Sequence, residues 1–416
     1  MKVYISGISG TAMGALALFI KQAGFDVCGS DMRPGAISPA LKAAGIDFEI
    51  GPQDGSFLQK KFEAGEVKWF LHTSALKPDH AELVLAEQLG IKISKRDEII
   101  NLILEQTGLK MVGVAGTHGK STTTAMIIWT CLQLGIPISW LEGTTLGFGP
   151  AGNFDPKSKF LIYEADEFDR NFLHFHPWLS VITVVDYDHK EIYPTKKDYD
   201  AAFEQFKSQS QNVVTLDQCN PSLFNLAGEV RRKDASLALE AVKKIISEYS
   251  VENPVDISVE KIVEILNRFP GAGRRFEKVG KNVYSDYAHL PEEIKATMDI
   301  AREEVQKLGL KGLVVLYEPL QNMRQYNIRD QYGDCFLGVE KLFWLPSFQL
   351  REDPNLAILT PAELIEYMDN KEIAEPAEMD NDLVEKVKKY QDNYLVLLMS
   401  GGDADVWFRK SFGDIQ

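Results

Sequence analysis

The run Gly116-Thr117-His118-Gly119-Lys120-Ser121-Thr122 sets two glycines, a lysine and three hydroxyls directly after the hydrophobic stretch Met111–Ala115. A bound triphosphate needs backbone N–H groups turned toward it, a nearby cation and a metal. Glycines let the backbone wrap closely, a following helix start favours anions, and Lys120 can neutralise the outer phosphates. Ser121 or Thr122 would give a hydroxyl to Mg2+. The run therefore reads as an ATP-binding loop between a strand and a helix. Its spacing departs from the common Gly-x4-Gly-Lys-Ser loop, because Val114 stands five positions before Gly119. The plain alternative is a strand-to-helix turn rich in small residues.

A second constellation follows. Glu164-Ala165-Asp166-Glu167-Phe168-Asp169 comes straight after the β-branched run Lys159–Tyr163, and Asp188-His189 comes after Leu179–Val185. Carboxylates at the carboxyl ends of parallel strands are where α/β proteins bind ligands. Glu164 and His189, at the ends of neighbouring strands, can converge on one metal, and Mg2+ prefers oxygen ligands and retained waters. The competing reading is a set of solvated acidic loops. Nearer the start, Gly7-Ile8-Ser9-Gly10-Thr11-Ala12-Met13-Gly14 follows a first strand, and Asp31 follows a second. A nicotinamide enzyme would use these parts for a dinucleotide, but a UDP-sugar pyrophosphate fits them too. A turn needed only for packing is the third possibility.

The elements that must position these residues alternate between strand-like and helical runs, the mark of α/β architecture. Lys2–Ser6, Asp26–Cys28, Lys68–Thr73 and Ile91–Ser94 read as strands of one sheet, with helices at Ala12–Ala23 and Asp97–Gln106. Thr107-Gly108-Leu109 is a linker, and Met111–Ala115, Lys159–Tyr163 and Leu179–Val185 begin a second sheet. Asp234–Glu248 and Val259–Phe269 read as helices. The break at Phe269-Pro270-Gly271-Ala272-Gly273 opens a third unit, with strands at Asn282–Asp286, Gly312–Tyr317, Lys341–Leu345 and Tyr394–Met399. Three α/β domains are expected, over 1–107, 108–268 and 269–416.

Sixty acidic against 45 basic residues give a net charge of −15, which argues against a general nucleic-acid binder. Cys28, Cys131, Cys219 and Cys335 lie far apart, which suits buried thiols rather than a zinc site or a disulfide framework. The first residues run from a strand into a turn without a signal-peptide pattern, and no apolar run is long enough to span a bilayer. A cytoplasmic protein, monomer or homodimer, with neither nucleic-acid nor membrane partners, is expected.

The form of the 116–122 loop is similar to that of the Mur ligases, which build the peptide stem of cell-wall precursors. Phe269-Pro270-Gly271-Ala272-Gly273-Arg274-Arg275-Phe276, Ser285-Asp286-Tyr287-Ala288-His289 and Thr73-Ser74-Ala75-Leu76-Lys77-Pro78-Asp79 resemble further segments of that family, in its order and over nearly the whole chain. The resemblance implies a Rossmann-like UDP-sugar domain, a central P-loop ATPase-like domain with a mostly parallel sheet, and a Rossmann-like C-terminal domain. It implies phosphorylation of a carboxylate by ATP and attack of an amine on the acyl phosphate. UDP-N-acetylmuramate and L-alanine would be the substrates.

By the same resemblance Ser121, Glu164 and His189 would hold Mg2+, Arg275 would reach the ATP, and Asp286 would order that region. Lys233 and Ser236 would lie near the adenine. Gly7, Ser9, Gly10, Thr11, Asp31, Ser74 and Lys77 would hold the UDP-sugar, and His289 and Arg324 the amino acid. The chain departs from the family pattern at Leu290, Leu320, Gln321, Lys233 and Ser236. Glu318-Pro319 and Asn322 lean toward the branch that adds a tripeptide, whereas the segment from Glu164 to His174 leans toward the branch that adds alanine. A pseudo-ligase that binds without turnover is the remaining reading.

Overall fold

The computed structural model describes residues 2–413 apart from 66, 74, 75, 190, 191, 350, 351 and 354. Three sheets organise the chain. The first is built from β1 (Lys2–Ser6), β2 (Asp26–Asp31), β3 (Asp47–Ile50), β4 (Val67–Leu71) and β5 (Lys92–Ser94), in the order β3-β2-β1-β4-β5. Its helices are α1 (Thr11–Gln22), α2 (Ser38–Ala43), α3 (Ser56–Glu63), α4 (Ala81–Gln88) and α5 (Arg96–Thr107). All its strand pairs are parallel. Parallel sheets are covered on both faces, so β1 reads as a continuous apolar run with Val3, Tyr4 and Ile5 fully buried.

The second sheet has the order β11-β10-β6-β9-β7-β8. Its strands are β6 (Lys110–Ala115), β7 (Ser139–Leu141), β8 (Gly152–Asn153), β9 (Phe160–Glu164), β10 (Leu179–Ile182) and β11 (Asn212–Val214). Helices α6 (Lys120–Gln133), α7 (Lys196–Ser208), α8 (Glu229–Tyr249) and α9 (Val259–Asn267) follow. Among the described residues of this sheet only β8 runs antiparallel, against β7. Helix α1 is buried at eight consecutive residues, Met13 to Ile20, because it is covered on both sides. One side meets its own sheet. On the other, the Cβ of any residue replacing Gly152 would stand 2.2 Å from the Ala15 carbonyl oxygen. The two sheets thus share one core, which includes Phe172 packed with tilted rings against Phe203 and Phe206.

The third sheet is β12 (Glu277–Gly280), β13 (Val283–Asp286), β14 (Leu313–Glu318), β15 (Lys341–Trp344), β16 (Ala374–Pro376) and β17 (Leu395–Ser400), ordered β12-β13-β17-β14-β15-β16. Helices α10 (Pro291–Leu308), α11 (Asn322–Ile328), α12 (Pro361–Ile365), α13 (Asn381–Gln391) and α14 (Ala404–Phe412) complete it. Tyr317, Tyr332, Phe336 and Trp344 form an aromatic cluster on one face, and Phe343, Phe408 and Phe412 pack the other.

By contacts the chain divides into two compact units, Met1–Phe224 with Lys233–Phe269, and Asn225–Arg232 with Pro270–Gln416. The α/β class expected from the sequence is present in three sheets. The strands missing from the sequence reading are the short or marginal ones: β3, β7, β8, β11, β12 and β16. Edge strand β3, with an exposed Ile50, lacks the apolar run that marks β1. The run Leu179–Val185 stops as a strand at Ile182, because Val184 turns its carbonyl to the 116–122 loop. Among the described residues no helix is long and apolar enough to cross a membrane.

Truncating the fully buried Phe172 leaves a cavity between α7 and the second sheet. Phe172→Ala should cost about 3–5 kcal/mol, read as an earlier unfolding transition of this unit in urea.

Candidate active site

Strand β6 ends at Ala115, and the chain turns at Gly116 with φ +149°. A Cβ there would lie 1.9 Å from Thr183 Oγ1, so only glycine fits. The loop is stitched to the chain beyond β10: the N–H of Thr117 donates to Val184 O at 2.7 Å, and Thr183 Oγ1 donates to His118 O at 2.6 Å. Gly119, at φ +85°, caps α6, whose first residues are Lys120, Ser121 and Thr122. The sheet order puts β6 between β9 and β10, so three carboxyl ends meet at this loop.

Lys120 Nζ folds back to donate to Gly116 O at 2.6 Å and to Glu167, whose nearer carboxylate oxygen is 2.8 Å away. Glu167 is 1% exposed, so both charges leave water together and neither is left uncompensated. His189 sits at φ +53° with Nε2 3.6 Å from Glu167 Oε1 and its ring edge-on to Phe168. Tyr193 Oη donates to the Glu167 carbonyl at 2.6 Å. Glu167 is the residue whose importance the sequence concealed. It stood in an acidic run where nothing singled it out.

Ser121 Oγ donates to Glu164 Oε1 at 3.0 Å, and the N–H of Gly143 donates to Glu164 Oε2 at 3.0 Å. Burial pushes the Glu164 carboxyl up. The hydrogen bond from Glu142, the charge of Lys120 and the Gly143 and Ser121 donors outweigh it and hold the group below the usual carboxylate range. A hydroxyl and an ionised carboxylate side by side suit Mg2+, which takes few protein ligands and keeps its waters. The structure brings Ser121 to Glu164 and His189 to Glu167. Among the described residues no three His, Cys, Asp or Glu side chains converge in a metal-holding group.

Beside Glu164 lies a cavity of about 250 Å³ lined by Leu16, Arg96, Glu142, Tyr163 and Asp166 among others. Burial raises the Asp166 carboxyl despite Arg96, whose guanidinium is 3.3 Å away. Arg96 also reaches Asn171 Oδ1 and lies over the Tyr163 ring. Neither Arg96 nor Glu142 stood out in the sequence, since Arg96 sits in the charged run Lys95-Arg96-Asp97-Glu98 and Glu142 is an isolated acid outside any motif.

Farther along, the carboxylate of Asp234 is what a Cβ at Gly119 would strike, at 2.5 Å. Ser236 is buried and spends its hydroxyl on Lys233 O of its own helix. Asp234 on this turn of α8 is thus set against the loop.

In the first sheet, the N–H of Gly7 donates to Ser30 O, and the N–H of Ser9 to Asp31 Oδ2 at 2.8 Å. Gly10 leads into Thr11, the first residue of α1. Asp31 therefore ties the glycine turn to the end of β2. Lys77 is exposed, and Ser74 lies outside the described residues.

In the second unit, Asp286 accepts from the N–H groups of Phe276 at 2.7 Å and Ala288 at 2.8 Å, and from Thr297 Oγ1. It pins a turn in which Arg274 and Phe276 both have positive φ. Burial raises the Asp286 carboxyl, opposed first by the Arg275 charge. Arg274 donates to Gly402 O, and its guanidinium and that of Arg275 lie over the Tyr287 ring. The Arg275 backbone N–H donates to Ala272 O at 2.8 Å, but its guanidinium has no hydrogen bond to a protein acceptor among the described residues, so its planar fork is open for a ligand.

His289 and Arg324 are brought together, with Arg324 Nη1 2.6 Å from His289 Nε2. A guanidinium only donates, so Nε2 accepts and the proton sits on Nδ1, facing Tyr287 O at 3.0 Å. Burial lowers the His289 pKa in agreement with this neutral form. Asn322 spends its side chain on Ala357 O and the N–H of Leu359, holding a loop. Glu318 is buried, receives Ser400 Oγ and the N–H of Ala404, and is raised by burial.

The loop geometry has a direct consequence. Gly116→Ala forces the added methyl into Thr183 and should abolish ATP binding, measured by calorimetry, while the melting of the other unit stays where it was.

Known proteins resemble this chain in sequence and fold. The family described as Mur ligase family, catalytic domain, matches residues 2–107. A UDP-N-acetylmuramate–L-alanine ligase of Porphyromonas gingivalis is 28% identical, covering 97% of this chain and 96% of its own. The solved structure of a UDP-N-acetylmuramate–alanine ligase from Thermotoga maritima shares the fold with a TM-score of 0.77 at 22% identity, over 99% of this chain and 98% of that one. A murein peptide ligase from Psychrobacter arcticus shares it with a TM-score of 0.58 at 19% identity, over 100% and 99%. The chain contains a Mur ligase family domain, and its likeness to members of that family extends over nearly all of its length.

Proposed function

We propose that this protein is an ATP-dependent ligase that joins L-alanine to the lactyl carboxylate of UDP-N-acetylmuramate through an acyl phosphate. The observation that carries the reading is the phosphate loop with Lys120 folded across it, Ser121 set against Glu164 and Glu167 buried behind. Similarity to L-alanine ligases over nearly the whole chain supports the substrate assignment. The domains implied are 1–107 for the UDP-sugar, 108–268 for ATP and 269–416 for the amino acid.

The chemistry is phosphoryl transfer followed by acyl transfer. A lactyl carboxylate oxygen attacks the γ-phosphorus of ATP and ADP leaves. The neutral amine of alanine then attacks the acyl carbon, inorganic phosphate departs, and the amine loses its proton. The protein aligns and neutralises rather than forming a covalent intermediate with its own side chains.

Gly116 and Gly119 would present N–H groups to the phosphates, Thr117 and His118 would keep the loop's shape through N–H groups turned to Val184 O, and Lys120 would pass from Gly116 O to the outer phosphate. Ser121 and Glu164 would hold Mg2+, with His189 nearby on Glu167. Bound there, Mg2+ would supply positive charge to the phosphate oxygens. Arg275, on the turn fixed by Asp286, would add a bidentate contact to phosphate. Arg324, steadied by neutral His289, would take the free carboxylate of alanine. Asp234 stands against Gly119 of the loop, and Lys233 and Ser236 would lie near the adenine. Those two belong to the adenine region only by the family's order.

A second reading, addition of a peptide to the same sugar nucleotide, is favoured by Glu318-Pro319, and the shared fold of a murein peptide ligase keeps it in play. Phosphate release with ATP, UDP-N-acetylmuramate and either L-alanine or the tripeptide separates the two. Release with L-alanine is expected, and release with tripeptide alone would reverse the assignment.

Lys120→Ala should lower kcat by about 10²–10³-fold with UDP-sugar binding intact, because one preorganised donor to the developing charge is lost. His289 supplies a pH test. Its folded pKa lies below the unfolded value of 6.5, so folding is unpenalised above that pH. Stability should decline as pH falls from there through the folded pKa, then level off. Protonation also turns Nε2 into a donor facing Arg324, so KM for L-alanine should rise as pH falls through the folded pKa, at the lower end of that window. His289→Gln should flatten both curves.

A further inference from the structure

A buried polar cluster lies beneath the carboxyl ends of β1 and β2. Glu82, on the first turn of α4, is 1% exposed. Its Oε1 accepts from Tyr4 Oη at 2.6 Å and Ser30 Oγ at 2.5 Å, and its Oε2 from Ser6 Oγ at 2.6 Å. Burial and the Glu82 charge push the Tyr4 phenol far above its usual range, which keeps it a donor. Because β1 has β2 on one side and β4 on the other, chain direction across the sheet reverses at β1, the place where open α/β sheets bind ligands.

Gln53 closes this cluster from the ligand side. It follows β3 and holds φ +52°, a left-handed backbone that a residue with a side chain adopts at a cost. Its Nε2 lies 3.0 Å from Ser30 Oγ, 3.1 Å from Ser6 Oγ and 3.2 Å from Glu82 Oε2, with Ser30 O at 3.4 Å. A carboxylate and a carbonyl only accept here, so the amide must present nitrogen to the cluster. That fixes Oε1 on the opposite side. Among the described residues nothing donates to it, and it is not one of the buried atoms left without a partner. The amide is thus oriented by four acceptors, with one acceptor of its own turned out over the ends of β1 and β2.

From this we infer that Gln53 is a specificity-determining residue whose Oε1 accepts a hydrogen bond from the nucleoside end of the UDP-sugar. The inference rests on the UDP-sugar reading proposed above. The ligand offers two donors of this chemistry, the uracil N3–H and a ribose hydroxyl. Glu82 acts through Gln53 as a positioning residue, since its carboxylate holds the amide nitrogen in place.

The test uses the full-length protein and calorimetric binding of UDP, CDP and 2′-deoxy-UDP. CDP lacks the N3–H and 2′-deoxy-UDP lacks one hydroxyl. The wild type should prefer UDP to one of the two by about tenfold, the size of one neutral hydrogen bond whose loss leaves a partner unsatisfied. Gln53→Leu should erase that preference while UDP still binds, about tenfold more weakly. A merely structural Gln53 would weaken all three ligands by the same factor, and an unchanged preference in Gln53→Leu would overturn the inference. Failure of the wild type to bind UDP at all would instead remove the UDP-sugar reading itself. Glu82→Gln, which keeps the volume but supplies a donor where an acceptor is needed, should reduce the same preference without altering ATP binding.

Discussion

The ammonium of Lys120 cannot be buried alone, and the second sheet is arranged so that it is not. Its partner Glu167 follows β9, its own loop follows β6, and the residues that stitch the loop follow β10. Only a parallel order of β10-β6-β9 delivers those three carboxyl ends side by side. The ion pair, the Gly116 turn and the Ser121–Glu164 contact are consequences of one topology. Removing one partner would leave an uncompensated charge beneath the loop, which explains why the pair is tied further by Tyr193 and by Gly116 O.

The acidic groups of the chain occupy different protonation regimes, and environment rather than residue type decides which. Glu164 is held low by donors and by Lys120, whereas Asp166 beside it is held high because burial exceeds the pull of Arg96. Glu318 and Asp286 are both raised by burial although each accepts at least two hydrogen bonds. A group that is low and carries donors is suited to a metal. Those that are high hold turns and strand ends, as Asp286 does for Phe276 and Glu318 for Ala404.

Three of the positions that depart from the family's pattern, Leu320, Gln321 and Ser236, acquire structural explanations, as does Asn322 beside them. Asn322 holds the loop at Ala357 and Leu359 by a side chain that makes both kinds of hydrogen bond. Leu320 is largely buried, with its backbone carbonyl accepting from Gln325, while Gln321 stands at φ +58° and begins α11. Ser236 turned inward to its own helix, which leaves Asp234 facing Gly119.

Alternation of apolar runs with helical stretches was enough to establish an α/β chain with its long, buried strands, because a strand covered on both faces must be continuously hydrophobic. Glycines at 7, 116 and 119 were legible as turns, and Lys120, Ser121 and Glu164 as candidates for phosphate and metal chemistry, because their residue types follow strand ends. Short edge strands such as β3 and β16 carry no such pattern. Nothing in the sequence separates Glu167 from its acidic neighbours, couples Arg96 to Asp166, neutralises His289 beside Arg324, or turns the Gln53 amide over Glu82. Each of those depends on residues tens of positions apart meeting at strand ends, and on the burial that sets their charge. The sequence determined which groups could react, and the tertiary structure decided which of them are paired, protonated and oriented, because desolvation and hydrogen bonding act through space and not along the chain.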